Sequence, residues 1–195
     1  VRRIPEAPGG QLLFALPGLP FLYQGDELGL EEVDVPLDQR QDPVAVRNQN
    51  PADGRDGCRT PMPWSPGLTG GFTDGPEPWL PIDRADADTV SAQRDDPSSV
   101  LYKYQELLAV RRELGDLHAS ELEWLTDRSA PVIGFRRGDT VCALNVGDIP
   151  TDFRLPPGQW RLAFSSEQAA GAVIESAIGL DAPEGVLLVR VPDTA

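Results

Sequence analysis

One histidine, His118, and two cysteines, Cys58 and Cys142, are the only imidazole and thiol groups in the 195 residues. No Cys-x-x-Cys spacing occurs, so a zinc site is not supported, and no metal or cofactor is expected. The two cysteines lie far apart in unlike surroundings and read as small, partly buried apolar residues, with no disulfide predicted. No apolar run approaches the roughly 18 residues of a membrane-spanning helix, and no apolar stretch of signal-peptide length follows Arg2 and Arg3. The expectation is a soluble, cytoplasmic protein without a membrane partner. Basic residues are also scarce. With 17 Lys and Arg against 31 Asp and Glu, the net charge of −14 repels phosphate backbones and anionic lipid, which excludes nucleic acid as an expected partner. Gly-x-Gly-x-x-Gly, Walker-type and Gly-x-Ser-x-Gly sequences are missing, so nucleotide binding and serine hydrolase chemistry have no motif.

What is present is a 40% hydrophobic, 21.1 kDa chain, enough for one domain or a domain and part of another. Its 20 prolines and 19 glycines are unevenly spread and divide it into four stretches. Gln11 to Leu16 resembles the last turns of a helix stopped by Pro17 and Gly18, while Val1 to Gly10 offers no helical start. Phe21-Leu22-Tyr23, between Pro20 and Gln24-Gly25, suits a short buried strand that delivers polar residues at its end. From Gln24 to about Pro97 no helical or strand period is sustained. Such long connections are uncommon and usually functional, and Met62, Trp64, Phe72 and Trp79 favour a loop packed on a substantial surface over a solvated linker.

Val100, Leu101, Tyr104, Leu107, Leu108 and Leu114 form a 3.6-residue stripe with Ser at its start and Gly115 near its end, which predicts a helix. Short β-rich runs follow at Leu122–Leu125, Val132–Arg136, Val141–Val146, Trp160–Phe164 and Val186–Val191. Turns are expected at Arg137-Gly138-Asp139 and Pro156-Pro157-Gly158. The tail therefore reads as a small antiparallel β-sandwich, with a boundary near Leu117 to Ser120.

Few residues are placed for chemistry. The neighbours Asp26-Glu27 and Glu31-Glu32 look like catalytic pairs, but adjacent side chains diverge, whereas glycosidic acid/base work needs carboxylates on opposite sides of a bond. His118 lies at a helix end, where a histidine complements free carbonyls or sits in solvent. Gly54-Arg55-Asp56-Gly57-Cys58-Arg59-Thr60-Pro61-Met62-Pro63-Trp64 concentrates two guanidinium groups and an indole. A guanidinium can bond vicinal hydroxyls and an indole can face a pyranose ring, so this loop could line a sugar pocket; equally, an Arg-Asp pair could simply hold the loop.

Pro20-Phe21-Leu22-Tyr23-Gln24-Gly25-Asp26-Glu27-Leu28-Gly29 followed by the Gly54–Trp64 segment resembles glycoside hydrolase family 13, the α-amylase family, and within it the α-glucosidase and oligo-1,6-glucosidase branch. The resemblance runs from about Gln11 to the end. It implies an α+β fold in which residues 1–118 are the C-terminal end of a (β/α)₈ barrel and residues 119–195 a C-terminal antiparallel β-sandwich. Phe21–Tyr23 would be the barrel's last strand, the long loop would cross its catalytic face, and Val100–Leu114 would be its last helix. Arg55 occupies the position that contacts the non-reducing glucose of an oligosaccharide substrate, with Arg59 supporting the pocket wall. The family's retaining chemistry uses an aspartate nucleophile, a glutamate acid/base and a stabilising aspartate in an Asn-His-Asp motif. All three would precede Val1, so no catalytic residue is assigned here and the chain by itself is expected to be inactive. Asp26 stands where the family often has Glu. Hydrolysis of terminal α-linked glucose is the leading expectation, with glucosyl transfer or disaccharide isomerisation by the same machinery as an alternative. A non-enzymatic alternative is a β-sandwich that binds sugar through Trp124, Phe135, Phe153, Trp160 or Phe164, although core burial is the usual role of aromatics in strands. The heavy chains of amino-acid transporters, also in this family, carry a membrane anchor for which this sequence has no candidate.

Overall fold

A computed structural model describes residues 6–50, 53–82 and 85–192. By compactness the chain forms two units, one of residues up to 21 together with residues from 103 onward, the other of residues 22–102.

Among its described residues the first unit has eight strands: β1 (Glu123–Trp124), β2 (Val132–Arg137), β3 (Thr140–Asn145), β4 (Thr151–Arg154), β5 (Trp160–Ser165), β6 (Val173–Ile174), β7 (Ala177–Leu180) and β8 (Glu184–Arg190). Six form one antiparallel sheet in the order β1-β2-β3-β8-β5-β6, and β4 pairs with β7 in a second. All five β-rich runs become strands. The turn at Arg137-Gly138-Asp139 is where the β2–β3 hairpin reverses, with Gly138 at φ 56°, a left-handed conformation that a side chain would disfavour. The three strands that sequence reading misses, β4, β6 and β7, are only two to four residues long. Val132, Val141, Trp160, Leu162, Val186 and Leu188 of the large sheet pack on Phe153, Leu155, Ile178 and Leu180, which closes the expected sandwich. Phe135, Phe153, Trp160 and Phe164 are all buried, as core burial of aromatics requires; Trp124 alone of the five is exposed.

Helix α1 (Glu6–Ala15) lies on β3 and β8 of the large sheet. It begins before Gln11, so the expectation of no helical start up to Gly10 is corrected from Glu6 onward, while Val1–Pro5 lie outside the described residues. Gly10 is tolerated in the helix because a Cβ there would fall 2.6 Å from the Tyr104 ring. Buried Gln11 donates from Nε2 to the Val186 carbonyl at 2.7 Å. The helix's last carbonyls are taken by two buried guanidinium groups. Arg111 bonds Phe14 O, and Arg137 reaches Ala15 O at 3.3 Å and Leu117 O at 2.6 Å. Cations at a helix C-terminus complement its dipole and satisfy acceptors that would otherwise be orphaned. Burial, and secondarily the neighbouring Arg137 charge, lower the pKa of Arg111.

Helix α4 (Val100–Glu113) matches the predicted stripe, with Ser99 Oγ accepting from Tyr102 N at 3.1 Å and Leu107 and Tyr104 buried. Gly115 does not terminate it in a left-handed cap. At φ −53° it leads into α5 (Asp116–Ala119), where His118 Nε2 sits 3.1 Å from the Arg111 carbonyl, as a carbonyl-complementing histidine should. These helices group with the β-sandwich by compactness, so the compact units do not divide at Leu117–Ser120.

In the second unit the loop is irregular, as expected, apart from short 3-10 turns and, among the described residues, two short helices, α2 (Pro43–Asn48) and α3 (Val90–Gln93). Asp42 caps α2, accepting from Val44 N at 3.0 Å with Pro43 at the first helical position. Six residues are under two turns, too short to show a period. Val33, Val35 and Leu80 form a small core. The loop is thus packed, but by other residues than expected: Trp64, Phe72 and Trp79 are each about half exposed. Phe21-Leu22-Tyr23 is a further correction. It forms no strand and is exposed, Phe21 at 79%, because no neighbouring strand among the described residues supplies a ladder.

Candidate functional site

The two sequence motifs meet in the second unit. Gln24 Nε2 donates to the Thr60 carbonyl at 3.1 Å, joining the Pro20–Gly29 segment to the Gly54–Trp64 segment. The adjacent acids of the first motif are engaged in its turn: Asp26 Oδ2 accepts from Tyr23 N at 2.9 Å and Glu27 Oε2 from Gly25 N at 3.0 Å. Both carboxylates brace a backbone that reverses at Gly25, φ 96°.

Two buried carboxylates hold the arginine loop. Asp56, 1% exposed, accepts from the backbone N–H groups of Gln41 and Asp42 at 2.9 and 2.8 Å. Asp42, 6% exposed, accepts from Val44 N, from Arg55 N at 3.1 Å and from the Arg59 guanidinium at 3.4 Å. The N–H groups of Val44 and Arg55, and then the charges of Arg59 and Arg55, hold the Asp42 carboxyl below its ordinary range despite burial. Each aspartate therefore bonds the loop segment carrying the other. The Arg-Asp pair considered from sequence exists, but as Asp42 with Arg59 and not as Arg55 with Asp56.

Glycines let this clasp close. A Cβ on Gly57 would lie 2.4 Å from the Val33 carbonyl, and one on Gly54 would lie 2.8 Å from the Ala45 methyl. Close approach, not left-handed backbone, fixes these two positions.

The result is a division of labour between the arginines. Arg59 is partly buried and tied to Asp42. Arg55 is anchored through its backbone while its side chain is exposed, with no hydrogen bond or ion pair to another described residue. A guanidinium held at its root and free at its tip can offer two parallel N–H donors to a ligand. Trp64 is also half exposed, and its backbone is fixed by bonds from Trp64 N to Gly70 O and from Ser91 N to Trp64 O. Asp42 is the residue that sequence reading missed. Its signal was the Asp-Pro pair of a helix start, which was lost in a stretch where Pro and Asp recur throughout. No group of three or more His, Cys, Asp or Glu suited to a metal occurs among the described residues, and none of their helices is long and apolar enough to cross a membrane.

The family profile for the α-amylase catalytic domain matches residues 9–119, more than half of the chain. The chain belongs to the α-amylase family, glycoside hydrolase family 13. Among its relatives within glycoside hydrolase family 13 is a probable α-glucosidase of Rhizobium meliloti (strain 1021), 37% identical over 150 residues, which cover 74% of this chain and 27% of that protein. An oligo-1,6-glucosidase of Heyndrickxia coagulans is 27% identical over 184 residues, 82% of this chain and 33% of the relative. The rat amino acid transporter heavy chain SLC3A1 is 30% identical over 91% of this chain and 27% of its own. Among solved structures, the α-glucosyl transfer enzyme XgtA superposes with a TM-score of 0.80 at 34% identity, covering 95% of this chain and 35% of that enzyme. The chain thus spans about a third of the length of the relatives it matches.

Proposed function

We propose that this chain is the C-terminal third of an α-glucosidase that removes terminal α-linked glucose from oligosaccharides by a retaining mechanism, and that Arg55 is its contribution to glucose recognition. The observation that carries the reading is the exposed Arg55 guanidinium on a backbone clasped by Asp42 and Asp56. The ion pair to Asp42 is made by Arg59, which leaves the Arg55 guanidinium available to a ligand. The family match ending at residue 119 supports assigning residues up to 118 to the catalytic domain and 119–195 to the accessory β-sandwich. Catalytic carboxylates would come from the other two thirds of the protein, so the 195 residues alone are inactive in this reading. Glucosyl transfer stands beside hydrolysis because a glucosyl transfer enzyme superposes over nearly the whole chain.

The test is a chimera in which the rest of the Rhizobium relative precedes this chain. Hydrolysis of an aryl α-glucoside is expected, with Arg55→Ala lowering kcat/KM by about a hundredfold, the ~3 kcal/mol of a charge-assisted contact. Unchanged kinetics in Arg55→Ala would remove that residue from the site. Glucosyl products forming with maltose as acceptor would favour transfer.

A further inference from the structure

On the β-sandwich, Trp124 is set apart from the other aromatics. Its indole is 60% exposed and rests edge-on against buried Phe135, with ring centres 5.7 Å apart and planes at 73°. Register places the two residues opposite each other on β1 and β2, and the neighbouring pair is clamped by Arg136 to Glu123 at 2.6 Å. The ring is therefore held from beneath while one side stays open. It forms a wall of a half-open groove of about 500 Å³ with Thr126, Asp127, Arg128, Ala130 and Ile133, a size ordinary for small-molecule sites.

The polar groups of the groove decide its ligand. The Thr126 hydroxyl is committed to the strand, accepting from Gly134 N at 2.9 Å. Asp127 and Arg128 are exposed, and neither side chain has a hydrogen bond or ion pair to another described residue. A purely apolar occupant would strip water from both charges without replacing it. An anion would face Asp127 and a molecule of net charge −14. A cation, drawn to the indole face, would meet Arg128. A neutral ring with one C–H-rich face and equatorial hydroxyls suits all three groups at once. Its face stacks on the indole, and its hydroxyls donate to the Asp127 carboxylate and accept from the Arg128 guanidinium.

We infer that this groove is a carbohydrate-binding site for a neutral pyranose oligosaccharide, independent of Arg55 and of the proposed glucosidase activity. The experiment is an NMR titration of the 195-residue chain with maltotriose and with isomaltotriose, following the four indole N–H signals. A saturable, millimolar shift of the Trp124 indole is expected, weakened tenfold or more by Arg128→Ala and unchanged by Arg55→Ala; in the Trp124 variants, which lack that indole, the titration is followed through the backbone amide signals of β1 and β2, and Trp124→Ala is expected to weaken binding tenfold or more. The signal of Trp160, whose indole N–H is bonded to Pro156 O at 2.8 Å in the core, reports that each variant is folded. If Trp124→Ala loses that signal, Arg128→Ala and Trp124→Phe decide, with Phe expected to retain most of the affinity. The proposal is overturned if neither sugar moves the Trp124 signal saturably, or if binding persists in Arg128→Ala and disappears in Arg55→Ala. That last result would support the Arg55 reading while removing this one.

Discussion

Single residues differ here in how they meet water, and the two thiols show it most directly. Cys142 is 1% exposed within β3, and burial pushes its thiol up to about 12 against a small opposing hydrogen bond from Gln11. Cys58 is partly exposed on the arginine loop and donates to the Arg55 carbonyl at 3.2 Å. Thiolate is the reactive form, and access is required as well. A thiol reagent at pH 8 should therefore modify one cysteine per native chain, Cys58, and both after denaturation. Two fast-reacting thiols in the native protein would mean that the sheet around Cys142 opens. Charge placement follows the same rule. Arg59 and Arg55 are alike in sequence context, yet one is an ion-pair partner and the other presents its guanidinium to solvent. The motif identified the pair of arginines; only the position of Asp42, thirteen residues before Arg55, separates their roles.

At the scale of elements, the arginine loop depends on backbone contact that leaves no room for a methyl group. Gly57→Ala would push a Cβ to 2.4 Å from the Val33 carbonyl, a rigid atom whose own residue is bonded to Gly57 O through its N–H at 3.1 Å. Overpacking of this kind costs about 1–3 kcal/mol. Urea unfolding followed by tryptophan emission should show that loss. Gly115→Ala is the control, since nothing lies within 4 Å of its Cβ and its φ is helical. It should leave stability unchanged or raise it by about 0.5–1 kcal/mol. An equal loss in both variants would mean that close approach at Gly57 is not what matters. Elements with a period or a strand-like composition were legible. Helix α4 announces itself by the stripe it buries, and the five β-rich runs by their concentration of β-branched, aromatic and other apolar residues between turn residues. Strands β4, β6 and β7, of two to four residues, and helix α2, of under two turns, did not, since elements this short do not stand out from the Pro-, Gly- and Asp-rich sequence around them. Phe21–Tyr23 was misread for the opposite reason: its composition suits a strand, but a strand exists only beside another.

At the scale of the whole molecule, the sequence motifs pointed to the family and the sandwich, while the compact units follow contacts that no motif encodes, such as Arg137 on the ends of α1 and α5. An antibody raised against the β-sandwich should detect, in native extract, a species well above 21.1 kDa. A native species of 21.1 kDa would contradict the proposed larger enzyme.

The sheet order β1-β2-β3-β8-β5-β6 places the last strand at the centre. On a growing chain, β1 to β3 and β5 with β6 emerge as two half-sheets with facing, unpaired edges, and nothing made before β8 can join them. Helix α1 waits as well, because the carbonyl that receives Gln11 belongs to Val186, 175 residues later. Synthesis of this region is therefore complete, or nearly so, before its core can exist, which makes the interval when β8 is still unmade the one in which open edges most need shielding by a chaperone.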